Sequence, residues 1–151
     1  MIRVLIVEDD PSVGAAIGMI LGHEGCETVH ALDAAAGMRA FEASTFDLII
    51  VDIFLPEIDG LRAIANFRQR APSIPILAIS GFRFREPVGQ DMDFLVMAAE
   101  AGAAVCLRKP FARRQLMAAV HASLDPAGSA AGIAQSQNSG PSDHSGRGQP
   151  K

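Results

Sequence analysis

The chain has 151 residues, 49% apolar and 20% charged, which is enough for one domain with a real core and too little for two comfortable ones. Its net charge is −4, and up to Asp125 there are 11 basic against 16 acidic side chains, a balance unsuited to binding nucleic acid directly. No apolar run approaches the length of a bilayer span. The start, Met1–Asp10, is a short apolar run followed by acids, unlike a secretory signal, so a cytoplasmic protein is expected. Two cysteines, Cys26 and Cys106, make neither a disulfide framework nor a metal-ligand cluster and read as small buried apolar filler.

In chain order, Ile2–Val7 is a first strand that ends in three acids, Glu8, Asp9 and Asp10. Pro11 suits the first turn of a helix, with Asp10 as its N-cap and Val13, Ile17, Ile20 and Leu21 on one face. This helix stops near Gly22–Gly25. Cys26–Ala31 reads as a short strand, and Asp33 caps a helix from Ala34 to about Ala43 with Met38 and Phe41 inward. Leu48–Val51 is an apolar run of the kind buried on both faces, ending at Asp52. Pro56 forbids its continuation, and Asp59-Gly60 can open a helix from Leu61 to about Arg70, with Leu61, Ile64, Ala65 and Phe67 buried. Ile76–Ile79 is a fourth buried strand, ending in Ser80-Gly81. Residues 82–93, FRFREPVGQDMD, read as a loop or an irregular helix start, and Phe94–Ala101 as a helix closed by Gly102. Ala103–Leu107 is the fifth strand, and Arg113–Leu124 a last helix with Leu116, Met117, Val120 and Leu124 on one face.

Five alternating strand–helix pairs predict an α/β fold, a doubly wound five-stranded parallel sheet with five helices, over residues 1–125. Residues 126–151 are rich in Gly, Ser, Ala, Gln and Pro; they bury too little to offset their ordering entropy and are expected to form a disordered tail.

In such a sheet the strand C-termini open on one edge. There the chain puts Glu8, Asp9 and Asp10 after the first strand, Asp52 after the third, Ser80 after the fourth and Lys109 after the fifth. Converging carboxylates repel one another unless a cation lies between them, and oxygen ligands select a hard ion such as Mg²⁺. Metal, carboxylate nucleophile, fixed cation and hydroxyl donor are the parts for phosphoryl transfer to a carboxylate. For Asp52 alone, capping the next turn is the competing reading.

These residues carry a resemblance. VEDDP at Val7–Pro11, VDIFLPEIDG at Val51–Gly60, LAISG at Leu77–Gly81 and RKPF at Arg108–Phe111 resemble, in order, the motifs of response regulator receiver domains of two-component signalling. The likeness covers Ile2 to Leu124. It implies the flavodoxin-like strand order 2-1-3-4-5, Asp52 as phosphoacceptor, Ser80 as switch hydroxyl, Lys109 as the invariant lysine and a cis Lys109-Pro110 peptide. It further implies Mg²⁺ on Asp9, Asp52 and the backbone carbonyl of Phe54, with Glu8 acting through water. The donor would be a sensor histidine kinase or a histidine phosphotransfer protein. Output to an unidentified downstream protein would run through the face of the fourth helix, fifth strand and fifth helix. On this reading the chain is a stand-alone regulator and no enzyme beyond its own phosphorylation and dephosphorylation, with neither nucleic acid nor membrane as partner.

Three features depart from the family pattern. Phe54 stands where small or polar residues are common; it either shields an acyl phosphate from water or packs against its loop. Cys106 replaces the usual aromatic of the fifth strand and reads as an inert buried thiol, too far from Cys26 to pair with it. The stretch from Ser80 to Lys109 is longer than usual, the excess falling in residues 82–93, where Phe82 and Phe84 alternate with Arg83 and Arg85. These departures keep open a degenerate receiver that serves as a phosphorylation-independent interaction module. A phosphatase of the haloacid dehalogenase type would want an acid where Phe54 stands. His23, His30, His121 and His144 lack ligand spacing and read as surface or helix-end residues.

Overall fold

A computed structural model describes residues 1–55, 60–81 and 90–125, with backbone only for 90–95. Five strands, β1 (Arg3–Val7), β2 (Glu27–Ala31), β3 (Leu48–Asp52), β4 (Ile76–Ser80) and β5 (Val105–Arg108), alternate with five helices. The helices are α1 (Pro11–His23), α2 (Ala34–Ala43), α3 (Gly60–Arg70), α4 (Gln90–Ala101) and α5 (Arg113–Leu124). All strand pairs are parallel and the order is β2-β1-β3-β4-β5, as the resemblance implies.

The period of two in each strand divides the core into two layers. Leu5, Val7, Ile49, Val51, Ile76, Ala78 and Cys106 face one side, where α2, α3 and Ala98 of α4 cover them. Val4, Ile6, Leu48, Ile50, Leu77, Ile79, Val105 and Leu107 face the other, under Ile17 and Leu21 of α1 and Leu116, Ala119 and Val120 of α5. A sheet covered on both faces explains why β3 is buried at all five positions. Phe67 anchors the first layer, fully buried and edge-on to Phe41 at 5.5 Å between ring centroids. Complete burial of such a ring contributes about 1.5–3 kcal/mol.

The helix starts follow their caps. Asp10 accepts from the amides of Ser12 (2.9 Å) and Val13 (3.4 Å), and Asp33 from that of Ala36 (2.7 Å). α4 ends on Gly102 at φ 122°, with the Gly102 amide on the Ala99 carbonyl and the Ala103 amide on that of Ala98.

That closure corrects one boundary: Ala103 is engaged in ending α4, and Ala104 donates to Ile76, so β5 begins at Val105. α4 begins at Gln90, so within 82–93 the helix start is borne out for residues 90–93. In α3 the buried alanine is Ala63, whereas Ala65 is exposed. An alanine is apolar enough for either face, and the sequence spacing does not discriminate between the two. β2 and β5 lie at opposite edges, and neither Cys26 nor Cys106 is in a disulfide. The expectations for Pro56 and Asp59, for residues 82–89 and for the tail 126–151 lie outside the described residues.

Candidate functional site

The register of the sheet assembles the site. Val7 pairs with Val51, so the next residues, Glu8 and Asp52, emerge side by side at the C-terminal edge. Asp52 pairs with Ile79 and Ser80 with Arg108, which brings Lys109 to the same edge; its amide donates to the Ser80 carbonyl at 2.7 Å. The Lys109-Pro110 peptide is cis.

Two carboxylates are buried here: Glu8 is inaccessible and Asp52 is 3% exposed. Lys109 lies between them, with Nζ 3.0 Å from Glu8 Oε1 and 3.1 Å from Asp52 Oδ2. Glu8 Oε1 also accepts the Asp10 amide at 3.2 Å, and Asp52 Oδ1 accepts the Phe54 amide at 2.9 Å. Glu8 Oε2 is buried and 2.9 Å from Nζ, an ion-pair contact that lacks hydrogen-bond alignment.

The charges do not balance. Among the described residues, carboxylate oxygens of Glu8, Asp9 and Asp52 all lie within 4.8 Å of one another and face the one ammonium of Lys109. At such separations each like-charge pair costs about 4 kcal/mol at the effective dielectric of a protein site. Burial and then the Asp52 charge push the Glu8 carboxyl up to about 7, although Lys109 pulls it down. For Lys109 burial disfavours the charge, but the hydrogen bond to Glu8 and the fields of Asp52 and Glu8 outweigh it and raise its pKa above the ordinary value. The excess negative charge, the all-oxygen donors and the unaligned Glu8 Oε2 fit a small hard cation such as Mg²⁺.

Gly60 fixes the end of this loop. Its amide donates to the Ile53 carbonyl at 3.2 Å, and a Cβ there would lie 2.3 Å from the Asp52 carbonyl oxygen and 2.4 Å from Ile53 Cα. The start of α3 can therefore rest against the chain beside Asp52 only without a side chain at 60.

The structure brings Glu8, Asp9, Asp52 and Lys109 together, with Ser80 half-buried at the end of β4 beside them. Phe54 is half-buried and packs against the α2–α3 side of the core, so its ring has a packing role. Cys106 is buried in the same layer. A groove of about 640 Å³ beside Lys109 is lined by Asp10, Val13, Ile17, Pro110 and Phe111, among others. His30 is exposed on β2, in keeping with a surface position, and its Nε2 also lies 2.8 Å from the Glu8 carbonyl oxygen, a contact that residue spacing does not reveal. The available signal was its place one residue before the end of a strand pairing with β1.

Residues 4–121 match the model of the response regulator receiver domain. A relative from Mycobacterium tuberculosis, the transcriptional regulatory protein PrrA, is 33% identical over 129 residues, covering 85% of this chain and 52% of its own length. The uncharacterized transcriptional regulatory protein YcbL of Bacillus subtilis is 32% identical over 80% of this chain and 50% of its own. The receiver domain of NtrX from Brucella abortus superposes with a TM-score of 0.72 at 28% identity, covering 80% of this chain and 97% of that one. A CheY-like receiver domain protein from Methanospirillum hungatei does so with a TM-score of 0.72 at 27% identity, covering 83% and 94%. The chain belongs to the response regulator receiver domain family. It spans about half the length of the curated relatives it matches. Among the described residues no helix is long and apolar enough to cross a membrane.

Proposed function

We propose that Asp52 accepts a phosphoryl group from the phosphohistidine of a sensor kinase or a phosphotransfer protein in the cytoplasm. The observation that carries this reading is the pairing of a buried Asp52 carboxylate with Lys109 Nζ at 3.1 Å inside an oxygen cluster shared with Glu8 and Asp9. A carboxylate oxygen of Asp52 attacks phosphorus, the phosphorus–nitrogen bond breaks, and its electron pair returns to the donor imidazole, leaving an acyl phosphate. Lys109 holds Asp52 and then a phosphoryl oxygen. The Phe54 amide fixes the second carboxylate oxygen through its 2.9 Å hydrogen bond. The Ser80 hydroxyl supplies a donor to the new phosphoryl group. Mg²⁺, held by Asp9, Asp52 and the Phe54 carbonyl with Glu8 through water, would supply the charge neutralisation that the site's excess of carboxylates calls for. The groove beside Lys109 offers a protein donor an apolar footing next to the nucleophile. The chain acts on no second substrate; water later hydrolyses the acyl phosphate.

Output follows from charge: a dianionic group beside Lys109 and Ser80 biases a two-state arrangement of the face formed by α4, β5 and α5. Beryllofluoride with Mg²⁺, a non-covalent mimic of the phosphoryl group, should raise the melting temperature and shift the amide resonances of Ser80 and Lys109 in the wild type and not in Asp52→Asn. Unchanged spectra in the wild type would instead support the phosphorylation-independent interaction module.

A further inference from the structure

We propose that His30 is a positioning residue for the acidic loop Glu8–Asp10, acting from the edge strand through the Glu8 main chain. The inference rests on the reading of Glu8, Asp9 and Asp52 as a cation-binding set.

Two independent contacts carry it. The first is the His30 Nε2 to Glu8 carbonyl distance of 2.8 Å. A carbonyl oxygen only accepts, so Nε2 carries the proton, and the hydrogen bond selects that tautomer. The second contact is with α1. A Cβ on Gly14 would lie 2.0 Å from His30 Cε1 and 2.2 Å from Nε2, so the ring occupies the space that a side chain at 14 would take. His30 thus touches both ends of the segment that carries the acids: the Glu8 carbonyl and the first turn of α1, where the Gly14 amide donates to the Asp10 carbonyl at 3.0 Å.

The loop needs such a fixture because of where the ladder ends. The Glu8 amide still donates to Ala31 at 3.0 Å, but β2 ends at that residue and the chain bends toward α2. Beyond it the Glu8 carbonyl would be left to the strand edge, and the His30 side chain supplies the N–H that the backbone no longer provides. Mutual repulsion of Glu8, Asp9 and Asp52 pushes this three-residue loop outward, and the hydrogen bond opposes that displacement. A partner that orients ligands in this way changes metal affinity without touching the metal.

The test uses the full chain and compares wild type, His30→Ala, His30→Gln, Gly14→Ala and the Gly14→Ala/His30→Ala pair. Glutamine keeps an N–H donor of similar reach and alanine removes it. In metal-free protein, amide exchange at Asp9 and Asp10 should accelerate in His30→Ala and return to the wild-type rate in His30→Gln. Calorimetric titration with MgCl₂ should show roughly tenfold weaker binding for His30→Ala, the low end for an outer partner of a metal site, and recovery in His30→Gln. Gly14→Ala should displace the ring and match His30→Ala in loop exchange; adding it to His30→Ala should change loop exchange little. Unchanged loop exchange in His30→Ala, or exchange in His30→Gln as fast as in His30→Ala, overturns the proposal. If wild type binds no Mg²⁺, the cation-binding reading fails alone and the exchange data still decide the role of His30.

Discussion

Glu8 and Asp52, brought level by the pairing of Val7 with Val51, are two buried carboxylates that share the ammonium of Lys109. Removing the ammonium leaves both without a counter-charge. Lys109→Met should therefore destabilise the metal-free protein by about 3–5 kcal/mol, the cost of breaking a buried ion pair from one side. Adding Glu8→Gln should recover part of that loss, because the second carboxylate is then neutral. Urea unfolding of the single and double variants without Mg²⁺ measures both.

The raised Glu8 carboxyl makes stability depend on pH. Its pKa of about 7 in the folded chain exceeds the ordinary 4.5 of a glutamate, so between these limits the native state keeps a proton that the unfolded chain has released. The stabilisation is complete below pH 4.5 and is lost as pH rises through 7, on the order of 3 kcal/mol in all. Metal-free wild type should lose urea resistance across this window, and Glu8→Gln should flatten the profile. Stabilisation by added MgCl₂ should grow over the same window, as the carboxylates it favours become charged.

Gly60→Ala tests the contact that holds α3 against the chain beside Asp52. A methyl group 2.3 Å from a backbone oxygen and 2.4 Å from a Cα forces the backbone to move. A loss of at least about 3 kcal/mol, more than overpacking by one methyl in a yielding core, should appear in thermal unfolding.

Cys106 should be chemically silent in the native state. Burial pushes its thiol up to about 11, and it is 4% exposed. The thiolate is the reactive form, so iodoacetamide at pH 8 should leave Cys106 unmodified until the protein is unfolded. Peptide mass mapping before and after denaturation reads this out.

Much of this architecture is legible in the residues because strand and helix periods agree with the caps. The β3 run, the Asp10 and Asp33 caps and the Gly102 closure each carry their own physical signal, and strand ends in a parallel sheet converge by topology. Glu8, Asp9, Asp52 and Lys109 follow from that convergence. What was not legible depends on contacts between distant segments. Ala63 and Ala65 are the same residue type, and only packing separates buried from exposed. His30 lacks any ligand spacing; its role depends on the β1–β2 register and on the space left by Gly14. The Gly60 contact likewise needs the path of the chain after Asp52.

Phosphoryl acceptance by Asp52 is read out by intact-mass measurement after incubation with acetyl phosphate and MgCl₂. Wild type should gain one phosphoryl mass, dependent on Mg²⁺ and lost on standing as the acyl phosphate hydrolyses. Asp52→Asn should gain none. An equal adduct on Asp52→Asn, or no adduct on wild type at saturating donor and Mg²⁺, would contradict the account.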